Sequence, residues 1–181
     1  MTGFAGLAGT QTLLKNKRER LLKHFSDSFL ESVPDYDPHA DRDRTIEILA
    51  KRGIEDYFEA GPEGIFAALW EFGEKTGFGM RVDVRGIPIF QETIELSNEM
   101  DINPYEDDST GCILFIRNGE TADPVINELL LNNIAAYVIG YETNDRDRLL
   151  INGEEKRFLT PASRIEAEKK QRETYSKCRT K

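Results

Sequence analysis

At 181 residues, 39% of them hydrophobic and 31% charged, the chain has the composition of one ordinary, somewhat polar globular domain, long enough to bury a real core. A formal net charge of −9 disfavours a phosphate-tracking surface, which needs clustered Lys and Arg, so nucleic acid is not an expected partner. No apolar run approaches the roughly 18 residues of a membrane span, and residues 1–10 lack the basic start and apolar core of a secretory signal. No membrane is therefore expected, and a cytoplasmic location is the default.

In chain order, Thr10 follows a Gly6-Leu7-Ala8-Gly9 turn and is suited to cap a helix that carries Leu14, Leu21, Phe25 and Phe29 at helical spacing to about Ser32. The Pro34-Asp35-Tyr36-Asp37-Pro38 stretch breaks it. Residues 44–52 form a second helix with Ile46 and Leu49 inward and Gly53 as its stop. Residues 54–58 alternate weakly, as a short strand leading into a Gly61-Pro62 turn. From Pro62 to Thr76 the residues Ile65, Phe66, Leu69, Trp70 and Phe72 make a broad apolar stripe, the mark of a core helix, with Pro62 where a helix start tolerates it.

Residues 80–84 alternate with period two as a half-buried strand, and 91–100 form the next helix. Cys112-Ile113-Leu114-Phe115-Ile116 is the most continuously apolar stretch and is expected to be a central strand. Asp123-Pro124 is a cap and first-turn pair for a helix burying Val125, Ile126, Leu129 and Leu130. A strand over 136–141 follows, and residues 148–151 and 155–159 flank Asn152-Gly153 as a hairpin, the Asn-Gly pair supplying positive φ angles. The expected fold class is α+β, with a mixed, mainly antiparallel sheet and packed helices.

The chain divides at about residue 160 into this domain, 1–160, and a charged helical tail, 161–181. The tail offers two readings: an electrostatic docking segment, for instance onto another copy, or a solvated helix. Cys112 and Cys178 are too far apart to form a disulfide framework, which fits a reducing compartment, and Cys112 has no neighbour in sequence to activate it. His24 and His39 are isolated, so no metal site is expected. There is no phosphate loop of the GxxxxGK[ST] type and no GxGxxG unit.

The stretch Glu63-Gly64-Ile65-Phe66-Ala67-Ala68-Leu69-Trp70-Glu71, followed by Gly86-Ile87-Pro88-Ile89-Phe90-Gln91-Glu92-Thr93, resembles the carboxy-terminal domain of the aminoimidazole ribonucleotide (AIR) synthase, or PurM-like, superfamily. Gly6-Leu7 and Gly9-Thr10, Ile102-Asn103-Pro104-Tyr105, Ser109-Thr110-Gly111-Cys112 and Val138-Ile139-Gly140 fit the same order. Within that superfamily the likeness is greatest to AIR-synthase-related and hydrogenase-maturation-like members. The resemblance implies the PurM carboxy-terminal fold and a place among enzymes that use ATP and Mg²⁺ to phosphorylate an amide or similar oxygen. It also implies an amino-terminal domain of comparable size that supplies most nucleotide contacts, and a substrate-side role for the present region.

Glu59, Gly61, Glu63, Gly64, Ser109, Thr110 and Gly111 are the ligand-binding candidates on this resemblance, and no catalytic residue is assigned. Relatives carry Asp-x-Thr-Glu-Gly-Gly where this chain reads Glu59-Ala60-Gly61-Pro62-Glu63-Gly64. Proline removes an N–H donor and Glu63 adds negative charge beside an expected anion, so phosphate binding at this turn is expected to be lost. Glu59 and Glu63 read either as an acid/base or metal pair or as partners of the helix dipole. Ser109, Thr110 and Gly111 read as a ligand loop or as plain turn formers. Two functions follow: the substrate-side half of an ATP-dependent enzyme or maturation factor, needing no cofactor alone and completed by a separate amino-terminal domain or a homo-oligomer; or a stand-alone, non-catalytic binding or assembly module.

Overall fold

The computed structural model describes residues 1–35, 37–117 and 124–179. The helices are α1 (Leu7–Leu21), α2 (Asp27–Glu31), α3 (Pro38–Lys51), α4 (Gly64–Thr76), α5 (Gln91–Glu99), α6 (Pro124–Leu131) and α7 (Ala162–Arg179). Between them run the strands β1 (Tyr57–Glu59), β2 (Gly79–Asp83), β3 (Ile113–Phe115), β4 (Gly140–Thr143), β5 (Arg148–Asn152) and β6 (Glu155–Phe158), with short 3-10 turns at Val84–Gly86 and Pro104–Glu106.

The first expected helix is two helices. Its apolar spacing continues through Phe25 and Phe29, but the chain leaves the helix after Leu21 and restarts where the Ser26 hydroxyl accepts from the Phe29 N–H, a side-chain cap. Arg18 reaches across the break to pair with Asp27. Thr10 does not cap α1, which begins three residues earlier; its hydroxyl donates to Gly6 O and meets Thr93, both buried. The second expected helix starts six residues sooner than its apolar pattern, because the Asp37 carboxylate caps it ahead of Pro38. The expected Asp123 cap of α6 lies outside the described residues.

The strands form a mixed, mainly antiparallel arrangement, as the α+β reading requires. A two-stranded sheet pairs β1 with β3, and a four-stranded sheet has the order β4-β2-β5-β6, antiparallel except for β2 and β5. The strand expected over 136–141 is shifted: Ala136 makes only an isolated bridge, and regular pairing begins at Gly140. In the β5–β6 hairpin Gly153 alone has a positive φ, 63°, and Asn152 stays in the strand opposite Glu155. The first residues of the chain tie these parts together. Thr2 bridges Ile113 on one side and Ala136 on the other, Ala5 N–H donates to Pro88 O at 2.9 Å, and Gly6 N–H donates to Ser109 Oγ at 3.0 Å.

Apolar burial explains the layering. Ile65, Phe66, Leu69 and Phe72 of α4 pack with Val82 of β2, Leu114 of β3 and Leu150 of β5. Ile113 of β3 points the opposite way, into a cluster with Leu49 of α3 and Val125 and Leu129 of α6. Alternation along one strand thus feeds two cores, which is why its sequence is apolar without interruption. Phe115 packs against the second cluster, whereas Leu69 belongs to the first. A third cluster joins Leu7 and Leu21 of α1 to Leu30 and Leu96. Each such side chain contributes about 1.5–3 kcal/mol on full burial.

Candidate functional site

The two candidate segments, about fifty positions apart in sequence, meet at the start of α4. The ladder between β1 and β3 opposes Glu59 to Ile113 and continues as Ala60 N–H donates to Cys112 O at 2.9 Å. The chain then turns away, and Gly61 O accepts from both Ser109 N–H, at 3.1 Å, and Gly64 N–H, at 3.0 Å. Gly64 takes φ 84°, which strongly favours glycine, because its backbone lies against the Pro104–Glu106 turn. That turn is held by stacking of Tyr105 on Phe66, ring centroids 5.0 Å apart.

The candidate side chains have separate partners. Glu59 is gripped by Arg42 of α3, Nε to Oε2 at 2.5 Å and Nη2 to Oε1 at 3.0 Å. These contacts hold the Arg42 guanidinium above its ordinary pKa, the hydrogen bond to Glu59 first among the causes. Glu63 occupies the position before α4 but its side chain caps nothing. Instead Lys169 of α7 approaches: its ammonium donates to Pro62 O at 2.6 Å and lies 3.8 Å from Glu63 Oε2, an attraction without a hydrogen bond. Glu59 and Glu63 therefore answer to different cations. Ser109 is fully buried and committed, accepting from Gly6 and donating to Asp107 O at 2.9 Å. Thr110 is turned onto the Asp108 carboxylate by both its N–H and its hydroxyl, at 2.9 and 2.6 Å.

Two neighbours of this turn are absent from the sequence reading. Asp107 packs its carboxylate on the glycine surface of α1, where a Cβ at Gly9 would fall 2.2 Å from Oδ2. Burial pushes that carboxyl above the ordinary Asp range, and its Oδ2 has no hydrogen-bond partner. Lys169 is the other. It lies one helical turn after the fully buried Ile165, on the face of α7 turned to α4. A pocket of ≈ 340 Å³ between the turn and α7 is lined by Gly61, Pro62, Glu63 and Gly64 on one side and Ala162, Ser163 and Glu166 on the other.

Chemically, this turn offers a carbonyl, a carboxylate and a bound ammonium, an environment suited to cations more than to phosphate. Among the described residues no group of three or more His, Cys, Asp or Glu side chains is placed to hold a metal ion. Cys112, adjacent in sequence, is buried and its thiol is pushed up to about 12 by burial, so it is not a nucleophile at neutral pH.

No protein-family model matches the sequence, and no curated protein matches it. The fold does have solved counterparts. HypE of E. coli, a hydrogenase maturation protein, is similar with a TM-score of 0.62 over 90% of this chain and 49% of that one, at 16% identity. A chain of the HypE–HypF complex gives 0.56 over 65% and 40%, at 14% identity. HypE in complex with ATP gives 0.53 over 67% and 41%, again at 14% identity. The present chain thus spans half or less of the length of these proteins, and at such identities the likeness is one of fold.

Proposed function

We propose that this chain acts as the carboxy-terminal, substrate-side half of a maturation-factor-like member of the AIR synthase superfamily, working with a nucleotide-binding amino-terminal domain. The observation that carries the reading is coverage: 90% of this chain superposes on about half of HypE. On this reading Glu59, Gly61, Glu63 and Thr110 face the substrate side, and the buried Gly64, Ser109 and Gly111 hold the turn and loop in place. The structure of HypE with ATP is consistent with ATP as a ligand of the complete assembly, with Mg²⁺ as the resemblance implies. The HypE–HypF complex supports a protein partner.

A second reading rests on a specific observation. Lys169, Pro62 and Glu63 together convert an anion-facing turn into one that holds a cation of the same chain, which favours a non-catalytic binding or assembly module. Calorimetric titration with ATP and Mg²⁺ separates the two. The chain alone is expected to give no saturable heat at micromolar concentrations. Mixed with the amino-terminal domain of a HypE-type protein, it is expected to give binding stronger than that domain shows alone. The variant Gly61→Thr, Pro62→Glu, Glu63→Gly should then strengthen binding further, by about 1 kcal/mol if one charge-assisted contact is regained. If the chain adds nothing to the domain even as that variant, the substrate-side reading fails and the module reading stands.

A further inference from the structure

At the opposite end of α4 from the turn, an open cavity of ≈ 620 Å³ is walled by apolar side chains, among them Leu69, Phe72, Met80, Val82, Leu114 and Ile116. One flank is the stretch from Tyr137 to Glu142. Its outer side chains are unusually apolar for a surface, with Val138 76% and Tyr141 66% exposed.

Among the described residues, that flank is also an unpaired sheet edge. β4 ends the sheet order, and its antiparallel register opposes Gly79 to Thr143 and Val82 to Gly140. Asp83 N–H donates to Ile139 O at 2.8 Å, so residues 139, 141 and 143 turn their backbone groups toward β2. Gly140 and Glu142 turn theirs the other way, and among the described residues no hydrogen bond reaches them on that side. The far edge of the same sheet, β6, is guarded by exposed Glu155, Lys156 and Arg157, the usual defence against strand pairing. The edge made by β4 has only Glu142 for a charge, and that residue lines the cavity.

Glu142 supplies the chemistry. Its Oε2 is shut off from solvent and has no hydrogen-bond partner. Arg117, the other charge on the wall, is already engaged. A buried carboxylate oxygen without a donor is costly, and the cost is relieved by a partner that brings one. The chain's net charge of −9 favours a basic partner and disfavours a second copy.

We propose that the β4 edge and the cavity behind it dock an extended segment of a partner protein, which adds a strand to β4, places an apolar side chain in the cavity and presents a Lys or Arg to Glu142. Main-chain bonds supply the affinity of such an added strand, and the cavity with its carboxylate supplies the selection. The proposal is independent of what the turn at the start of α4 binds.

The test selects displayed random dodecapeptides against the full chain and measures fluorescein-labelled copies of the enriched sequences by fluorescence polarisation. Enriched peptides are expected to alternate apolar residues around one fixed Lys or Arg. Their binding should weaken about tenfold or more with Glu142→Gln and also with the exposed-edge variant Val138→Lys, and stay unchanged with Glu19→Gln on the exposed face of α1. No enrichment, or enriched peptides that bind the parent and both edge variants equally, overturns the proposal. So does concentration-dependent dimerisation of the chain that Val138→Lys abolishes, because a second copy is then the occupant.

Discussion

Replacing Gly64 by alanine tests the packing of the candidate turn directly. At φ 84° an L side chain is strained, by about 1–2 kcal/mol. The new Cβ would also fall 2.5 Å from Glu106 C and 2.6 Å from Tyr105 O. Those atoms are backbone, fixed by the Tyr105–Phe66 stack and by Glu106 N–H donating to Asn103 O at 3.0 Å, so relief requires moving the whole 3-10 turn. Overpacking of this kind costs about 1–3 kcal/mol, giving a total loss of about 2–5 kcal/mol against a usual stability of about 5–15 kcal/mol. Gly61→Ala is the matched control, since nothing lies within 4 Å of its added Cβ and its φ is not positive. It is expected to stabilise by about 0.4–1 kcal/mol through the unfolded chain. Urea denaturation at constant slope reads both. If the two variants fall within about 0.5 kcal/mol of each other, the contact between Gly64 and the 105–106 backbone does not exist as described.

Leu69→Ala should destabilise by about 2–5 kcal/mol in the same assay, and a loss under about 0.5 kcal/mol would mean that α4 does not pack its stripe on β2 and β3. Asp107→Asn carries a pH signature. Burial raises the folded carboxyl above its unfolded value, so the native state keeps its proton longer and stability falls as pH rises through the gap. The variant should be the more stable at pH 7 and lose that advantage at a pH below the ordinary Asp range; an equal gain at both refutes the assignment. Lys169→Met removes the bond to Pro62 O while keeping most of the stem, at a cost of about 0.5–1.5 kcal/mol, and should speed hydrogen exchange in the first turns of α7; unchanged exchange would show the lysine to be idle. In a Cys178→Ser background, Cys112 should stay unlabelled by thiol reagents at pH 8 until the chain unfolds, and prompt labelling of the native protein would contradict its burial.

The elements that sequence revealed best were those whose signal is local and strong. The broad stripe of α4 and the unbroken apolar run of β3 each reflect a single physical demand, burial on a wide helix face or on both faces of a strand. The first helix misled because Leu14, Leu21, Phe25 and Phe29 keep their period across a break imposed by a cap at Ser26, and a period does not register a cap. The strand before β5 was placed too early because Val138 and Ile139 carry β-forming side chains, whereas regular pairing waits for the register with β2. The turn at residues 59–64 was legible as a place of interest, since its departures from a related pattern can be read one residue at a time. Its partners were not. Nothing in a charged tail marks Lys169 as the residue that reaches Pro62, and the seal between Asp107 and Gly9 depends on a close approach that only three dimensions display.

The amino-terminal stretch that bridges β3, Ala136, Pro88 and Ser109 also sets an order of events during synthesis. Ala136, the second bridging partner of Thr2, is made roughly 130 residues after it, on the order of 10 s at typical elongation rates. Throughout that interval the helices on either side can form, yet β3 and the segment leading into β4 lack the shared bridge that joins them. This closure is therefore a long-range one with a large loop to bring together, so folding of this domain should be slow for its helix content and should finish only after β4 and the later strands have emerged.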